Sequence, residues 1–217
     1  AFSTSRPAHN PFGPATVTEL TLQLGDVASD QRSIELTATR TVDLEVPGFD
    51  AENDSGLNPT ALIDFPERGE VLVVGSGVNY GPDGTGADDG MLVVLDRTSL
   101  AVVQRIAVGG SPGAGVVVSI GSQPTDSVRL YLAGPAGIRL LERTATWSET
   151  VSVGYESAAS AGFPLIADVD VFGDVLYAAD FAHNSIRPFR ILTDGTLSEL
   201  PAIPVSHGPI GVLVDVE

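Results

Sequence analysis

Short apolar runs broken by polar turns recur along the chain, and three of them come as pairs of one kind. The first pair is residues 60–65 and 70–74, with Pro66 to Gly69 between them. The second is 114–120 and 128–133, and the third is 166–171 and 174–178 around Phe172-Gly173. Leu72, Leu130 and Leu176 occupy matching places in the three. Each pair is followed by two more strand-like stretches: 91–96 and 101–108, 138–143 and 149–153, 186–192 and 197–205. Gly/Pro turns close each unit: Gly109 to Gly113, Gly154 to Pro164, and Gly208-Pro209. Four short antiparallel strands in a repeat of about 40 to 50 residues is the arithmetic of a β-propeller blade. No window of a dozen residues carries helical spacing with caps, so helix is expected to be nearly absent.

Stacked blades explain why the runs do not alternate. A strand covered on both faces needs no polar side, so Val116-Val117-Val118 is expected to be a buried inner strand. Leu72, Val117, Leu130, Val169, Leu176 and Val212 are all expected to be buried. The rival architecture, a Greek-key sandwich, does not call for the same apolar-turn-apolar unit three times. Upstream, residues 17–24 and 33–39 alternate cleanly and 41–46 forms a further strand, while residues 1–14, with three prolines, read as an extended arm. Residues 210–216 resemble the innermost strand of a new unit. The expected fold is all-β: a β-propeller or propeller fragment of four to five four-stranded blades. One domain spans 15–217, in units of about 15–56, 57–112, 113–163 and 164–209, with 210–217 starting or closing a further blade.

Composition narrows the functions. The 217 residues carry 28 acids against 11 bases, a net charge of −17, and every base is Arg. The absence of lysine removes Schiff-base chemistry. The lack of clustered positive charge argues against nucleic acid or an anionic membrane surface as partner. With no Cys, disulfides, thiol catalysis and thiolate metal sites are excluded. The longest apolar runs, such as 91–95, fall far short of the roughly 20 residues of a spanning helix, so no membrane insertion is expected. The start Ala1-Phe2-Ser3-Thr4 resembles the end left by signal cleavage, which points to an extracytoplasmic protein: periplasmic, cell-surface or secreted.

In the third unit, Leu176-Tyr177-Ala178-Ala179-Asp180 is followed by His183-Asn184-Ser185-Ile186-Arg187-Pro188-Phe189 and then by Asp194-Gly195-Thr196-Leu197. This resembles blades of the seven-bladed lactonase-like propellers and of the YVTN and NHL repeat proteins. Ser206-His207-Gly208-Pro209 supplies the turn that opens the next blade there, and Asn58-Pro59 and Ser111-Pro112 stand in the corresponding places. The resemblance covers roughly residues 57 to 217. It implies architecture rather than activity, because these families include enzymes and binding proteins. The arginine that often follows the turn proline in the lactonase group is Ile210 here. No catalytic residue is carried over.

Two acidic, glycine-rich loops are candidates for metal. In residues 50–56, Asp50, Glu52 and Asp54 stand at alternate positions, the spacing that aims several hard oxygens at one Ca²⁺. In residues 81–90, glycines free the backbone to turn carbonyls inward while Asp83, Asp88 and Asp89 supply charge. Gly109-Gly110-Ser111-Pro112-Gly113 spells a nucleophile elbow, but its strand-turn-strand setting makes it a blade turn. His183 and His207 lie in turns of one unit, where they can join Asp180 as metal or acid–base groups, whereas His9 lies in the arm. Trp147 and Tyr80 are expected to pack between blades, and Arg187 and Arg190 to offset nearby acids. These signals lead to a non-catalytic binding or scaffold module that presents loops to a protein or glycan partner. The alternatives are a metal-dependent lactonase-like hydrolase and a structural subunit completed by another chain through an open blade edge.

Overall fold

The computed structural model describes residues 15–24, 34–45, 57–77, 90–108, 112–119, 127–135, 137–153 and 165–214. The chain opens with a hairpin of β1 (Thr16–Leu24) and β2 (Ile34–Asp43). The first four-stranded sheet is β3 (Pro59–Phe65), β4 (Glu70–Gly75), β5 (Met91–Asp96) and β6 (Val102–Ala107), paired in that order. The second is β7 (Ala114–Ser119), β8 (Val128–Gly134), β9 (Gly137–Arg143) and β10 (Trp147–Val153). The third is β11 (Ile166–Phe172), β12 (Val175–Asp180), β13 (Ser185–Ile191) and β14 (Leu197–Glu199), with β15 (Ile203–Pro204) also on β13. Every sheet is an antiparallel meander of consecutive strands. A Greek key would cross over, so the sandwich is excluded. A 3₁₀ turn, Pro66–Arg68, links β3 to β4, and Gly69 ends it at a φ of +65° that a side chain would resist.

The sheets stack face to face, with the first strand of each next to the first strand of the one after it: β3 lies beside β7, and β7 beside β11. This is the arrangement of successive propeller blades. Three apolar clusters fill the seams. Val71, Val73, Val93 and Leu95 meet Leu44 and Ala15 at the base of the hairpin. Leu72, Val74, Leu92 and Val94 meet Leu130 and Trp147. Tyr131 and Leu140 meet Leu176 and Phe189. Alternate residues of β4 therefore serve opposite seams, as do Leu130 and Tyr131 of β8. That is the physical reason the runs lack polar alternation.

The seams are also latched by polar groups. Arg143 Nε donates to Glu70 at 2.9 Å, and Trp147 Nε1 donates to Glu70 Oε2 at 3.0 Å, tying the second sheet to the first. Arg129 donates to Glu142 at 3.0 Å and to the carbonyls of Leu192 and Thr193 at 3.2 and 2.7 Å, tying the second sheet to the third.

Several expectations are refined. Residues 33–39 and 41–46 are not two strands, because β2 runs unbroken through Arg40 to Asp43. Among the described residues the first unit is this two-stranded hairpin rather than a full blade. The stretch 197–205 breaks into β14 and β15, since Pro201 offers no N–H to β13. Leu72, Leu130, Val169 and Leu176 are buried as expected. Val117 is only partly covered. The fully enclosed strands are β4 and β8, each second in its sheet, whereas β7 lies at the inner edge of its sheet. Val212 is also partly covered, although its backbone does follow β11.

Candidate functional site

Strand pairing divides the molecule into two ends. Pro59 pairs with Gly75 and Gly75 with Met91; Ala114 pairs with Ala133, and Ile166 with Asp180. The sheets share one orientation, because Thr60 Oγ1 at the start of β3 donates to the Pro112 carbonyl just before β7, at 3.1 Å. The Arg129 latch aligns the third sheet in the same sense. One end therefore carries every entry into a first strand and every link from second to third strand. The connections that open there include 44–58, 76–90 and 154–165. At the opposite end the links are 66–69, 97–101, 120–127, 144–146, 173–174 and 192–196. The longest loops are gathered at one end.

Two of those long loops share a neck. The Gly77 N–H donates to the Leu57 carbonyl at 3.0 Å and the Ser76 N–H to the Asn58 carbonyl at 3.1 Å. Asn58 Nδ2 closes the pair on Ser76 Oγ at 2.6 Å. Across the neck, Glu45 Oε1 accepts the Ala15 N–H at 2.9 Å and the Leu57 N–H at 3.4 Å. Burial pushes the Glu45 carboxyl above its ordinary range, against the pull of those two N–H donors. The calcium candidates Asp50, Glu52, Asp54, Asp83, Asp88 and Asp89 lie outside the described residues, as do His9 and Tyr80. Their segments leave from the described anchors Glu45 and Leu57, and Gly77 and Gly90.

At the same end, in the third sheet, Asp180 is fully buried and organises the turn after β12. Its Oδ1 accepts the His183 backbone N–H at 3.2 Å, and its Oδ2 lies 2.7 Å from His183 Nδ1. Arg187 Nη1 lies 3.6 Å from the same oxygen, and Arg187 Nη2 reaches Glu199 at 3.0 Å. A buried carboxylate thus fixes an imidazole and sits beside a cation, the arrangement that aims a general base. His207 is exposed, with Nδ1 3.1 Å from Ser206 Oγ. Among the described residues no three His, Asp or Glu side chains converge as a metal set, so the grouping of His183, His207 and Asp180 around a metal is not formed there. Arg187 and Arg190 do face acids, the latter Asp174 at 3.6 Å.

A cleft of about 260 Å³ opens at the other end, between the first two sheets, lined by Glu70, Asp96, Gln104, Arg143 and Thr146 among others. Its polar groups largely serve one another. Arg143 and Trp147 take Glu70, and Gln104 bonds the Trp147 backbone in both directions, at 2.8 and 3.1 Å. Trp147 is core, as its default packing role requires. Glu70 was invisible as a functional residue in the sequence, since its partners lie 73 and 77 residues away.

No family model and no curated protein matches the chain. Among solved structures it is similar to a protein from Bacteroides fragilis provisionally described as a 6-phosphogluconolactonase. The identity is 14%, over 89% of this chain and 66% of that one, with a TM-score of 0.36. The chain thus spans just under two thirds of that protein's length, and a likeness this distant carries no argument about function.

Proposed function

We propose that the protein is a non-catalytic propeller-like binding or scaffold module, acting outside the cytoplasm and presenting its long loops to a protein or glycan partner. One observation carries this reading: the connections 44–58, 76–90 and 154–165 all open at the same end of a latched stack of sheets. Binding surfaces are commonly built this way, from variable loops on a rigid scaffold. A net charge of −17 favours a partner with a positive face. The test replaces residues 78–89 with Asn-Gly, which leaves a five-residue connection, Ser76-Gly77-Asn-Gly-Gly90, between strands that already pair from Gly75 to Met91. The intact and shortened chains are then compared on an oligosaccharide array and a display library of folded domains. Ligands held by the intact chain and lost by the shortened one are expected. Ligands held equally by both would overturn the reading.

Calcium belongs to the same proposal, with Asp83, Asp88 and Asp89, or Asp50, Glu52 and Asp54, as its ligands. Support comes from the crowding of like charge in segments that leave one shared neck. Millimolar calcium should raise the melting temperature relative to chelator at constant ionic strength; Asp88→Ala with Asp89→Ala removes the shift where the second loop holds the ion, and a shift that survives them relocates the site to Asp50, Glu52 and Asp54. No shift in the unaltered chain would end it.

A second reading, a lactonase-like hydrolase, is favoured by the Asp180–His183 pair. Sugar lactones should stay at background with the purified chain, with or without divalent metals. Turnover abolished by His183→Ala would promote the enzyme to first place.

A further inference from the structure

One side chain ties together the neck at the loop-bearing end. Glu45 follows β2, just past the buried Leu44. Its Oε1 accepts N–H groups from two segments remote in the chain, Ala15 at 2.9 Å and Leu57 at 3.4 Å. Both donors belong to buried residues, and both stand just outside the strand registers that begin at Thr16 and Pro59. A buried N–H without an acceptor is costly, so the carboxyl supplies what the ladders do not. Leu57 passes the tie on, since its carbonyl accepts the Gly77 N–H at 3.0 Å. Gly75 brings β4 so close that a Cβ there would lie 2.5 Å from that carbonyl. One carboxyl thus joins the start of β1, the exit of β2, the approach to β3 and the exit of β4.

That carboxyl is titratable, and the charges around it are unequal. Asp43, on the same strand, accepts the Glu45 backbone N–H at 2.9 Å and adds like charge. Arg105 of β6 adds opposite charge, but its Nη2 is given to the Leu44 and Glu45 carbonyls, 3.0 Å from each. Burial outweighs the two N–H donors and Arg105 together, and holds the carboxyl above its ordinary range. Opening the neck admits water and removes that penalty. The closed neck therefore binds a proton more readily than the open one.

We propose that Glu45 is a proton-operated clasp, which tightens the neck when it is protonated and loosens it when it is ionised. The closed state gains in full below the ordinary carboxyl value of 4.5, and the gain is lost as pH rises through the raised value. A protonated carboxyl still offers an oxygen to Ala15 and Leu57, so the tie survives the loss of charge. The connections 44–58 and 76–90 both pass through this neck, and acid holds their bases together more firmly. Any consequence for binding rests on the loop-presenting reading above; the clasp itself does not.

Two measurements test the clasp, and neither uses a ligand, so a failure here leaves the loop-presenting reading to its own test. The first is the carbon-13 shift of the Glu45 carboxyl, followed by nuclear magnetic resonance from neutral pH into acid in the unaltered chain. Its midpoint should lie above 4.5, and a midpoint at or below that value would contradict the proposal without any variant being made. The second is amide exchange at Ala15, Leu57 and Gly77, read as protection over the intrinsic rate. Protection at all three should rise as pH falls from about 7 to 5. Glu45→Gln keeps an acceptor oxygen without the charge, so it should start nearer the acid level and gain less. The difference in slope is decisive, because a net charge of −17 relaxes in acid in both chains alike. Equal slopes in the two chains, or no rise in the unaltered one, would overturn the clasp and leave Glu45 a plain structural acceptor.

Discussion

Tyr131 shows how much one buried side chain does here. Its ring fills the seam between the second and third sheets, and its hydroxyl donates to the Gly195 carbonyl at 2.9 Å. Gly195 has a φ of +88°, and a Cβ there would meet Arg129 Nε at 2.7 Å, so the turn that receives the hydroxyl tolerates little else. Burial pushes the Tyr131 phenol up to about 12, outweighing the pull of Arg129. The neutral phenol is therefore favoured by folding, and its contribution is intact below the ordinary value of about 10 and lost between there and 12. Tyr131→Phe should cost about 1 kcal/mol at pH 7. Denaturant titration from pH 10 to 12 should show the unaltered chain losing about 2 kcal/mol more than Tyr131→Phe; equal slopes would contradict the assignment. Glu70→Ala strands Arg143 and the Trp147 indole in a largely buried seam, and the urea midpoint should fall by the equivalent of about 3 kcal/mol. The sequence made Leu72, Leu130 and Leu176 legible as core, because apolar runs between turns mark enclosed strands; it did not single out Tyr131. It could not expose the Glu70 network, since nothing local links residue 70 to residues 143 and 147.

At the scale of elements, strands were more legible than their ends. The turns 66–69 and 173–174 sit where proline and glycine put them, because those residues restrict or permit φ before any tertiary contact forms. The break between β14 and β15 was missed, although Pro201 and Pro204 announce it, because apolar Leu200, Ala202 and Ile203 mimic a continuous strand. The partial cover of Val117 was missed for another reason. Burial of a first strand depends on what occupies the space beside the inner edge of the stack, which no local pattern encodes. The candidate site was legible only as residue types: acidic loops could be listed, while their shared neck at Leu57 and Gly77 needed the fold. These differences set an order of local stability. In dilute, low-salt solution, amides of β4 and β8 should exchange most slowly, and those of β1, β2 and residues 210–214 much faster. A hairpin as protected as β4 under those conditions would contradict the packing described.

At the scale of the whole molecule, the claim is that successive meander sheets stack with inner strand beside inner strand, gathering the long loops at one end. That placement, rather than any single side chain, supports a loop-presenting module. The most direct test is a set of proton–proton distances across the inner strands. The Ile63 Cδ1 lies 3.3 Å from the place a Cβ of Gly115 would take. A nuclear Overhauser contact between the Ile63 δ-methyl and the Gly115 α-protons is therefore predicted, with matching contacts from the Val116 and Val118 methyls to Val169 and Val171. Absence of both sets in a folded chain, with the inner strands placed instead beside strands of unrelated sheets, would contradict the account.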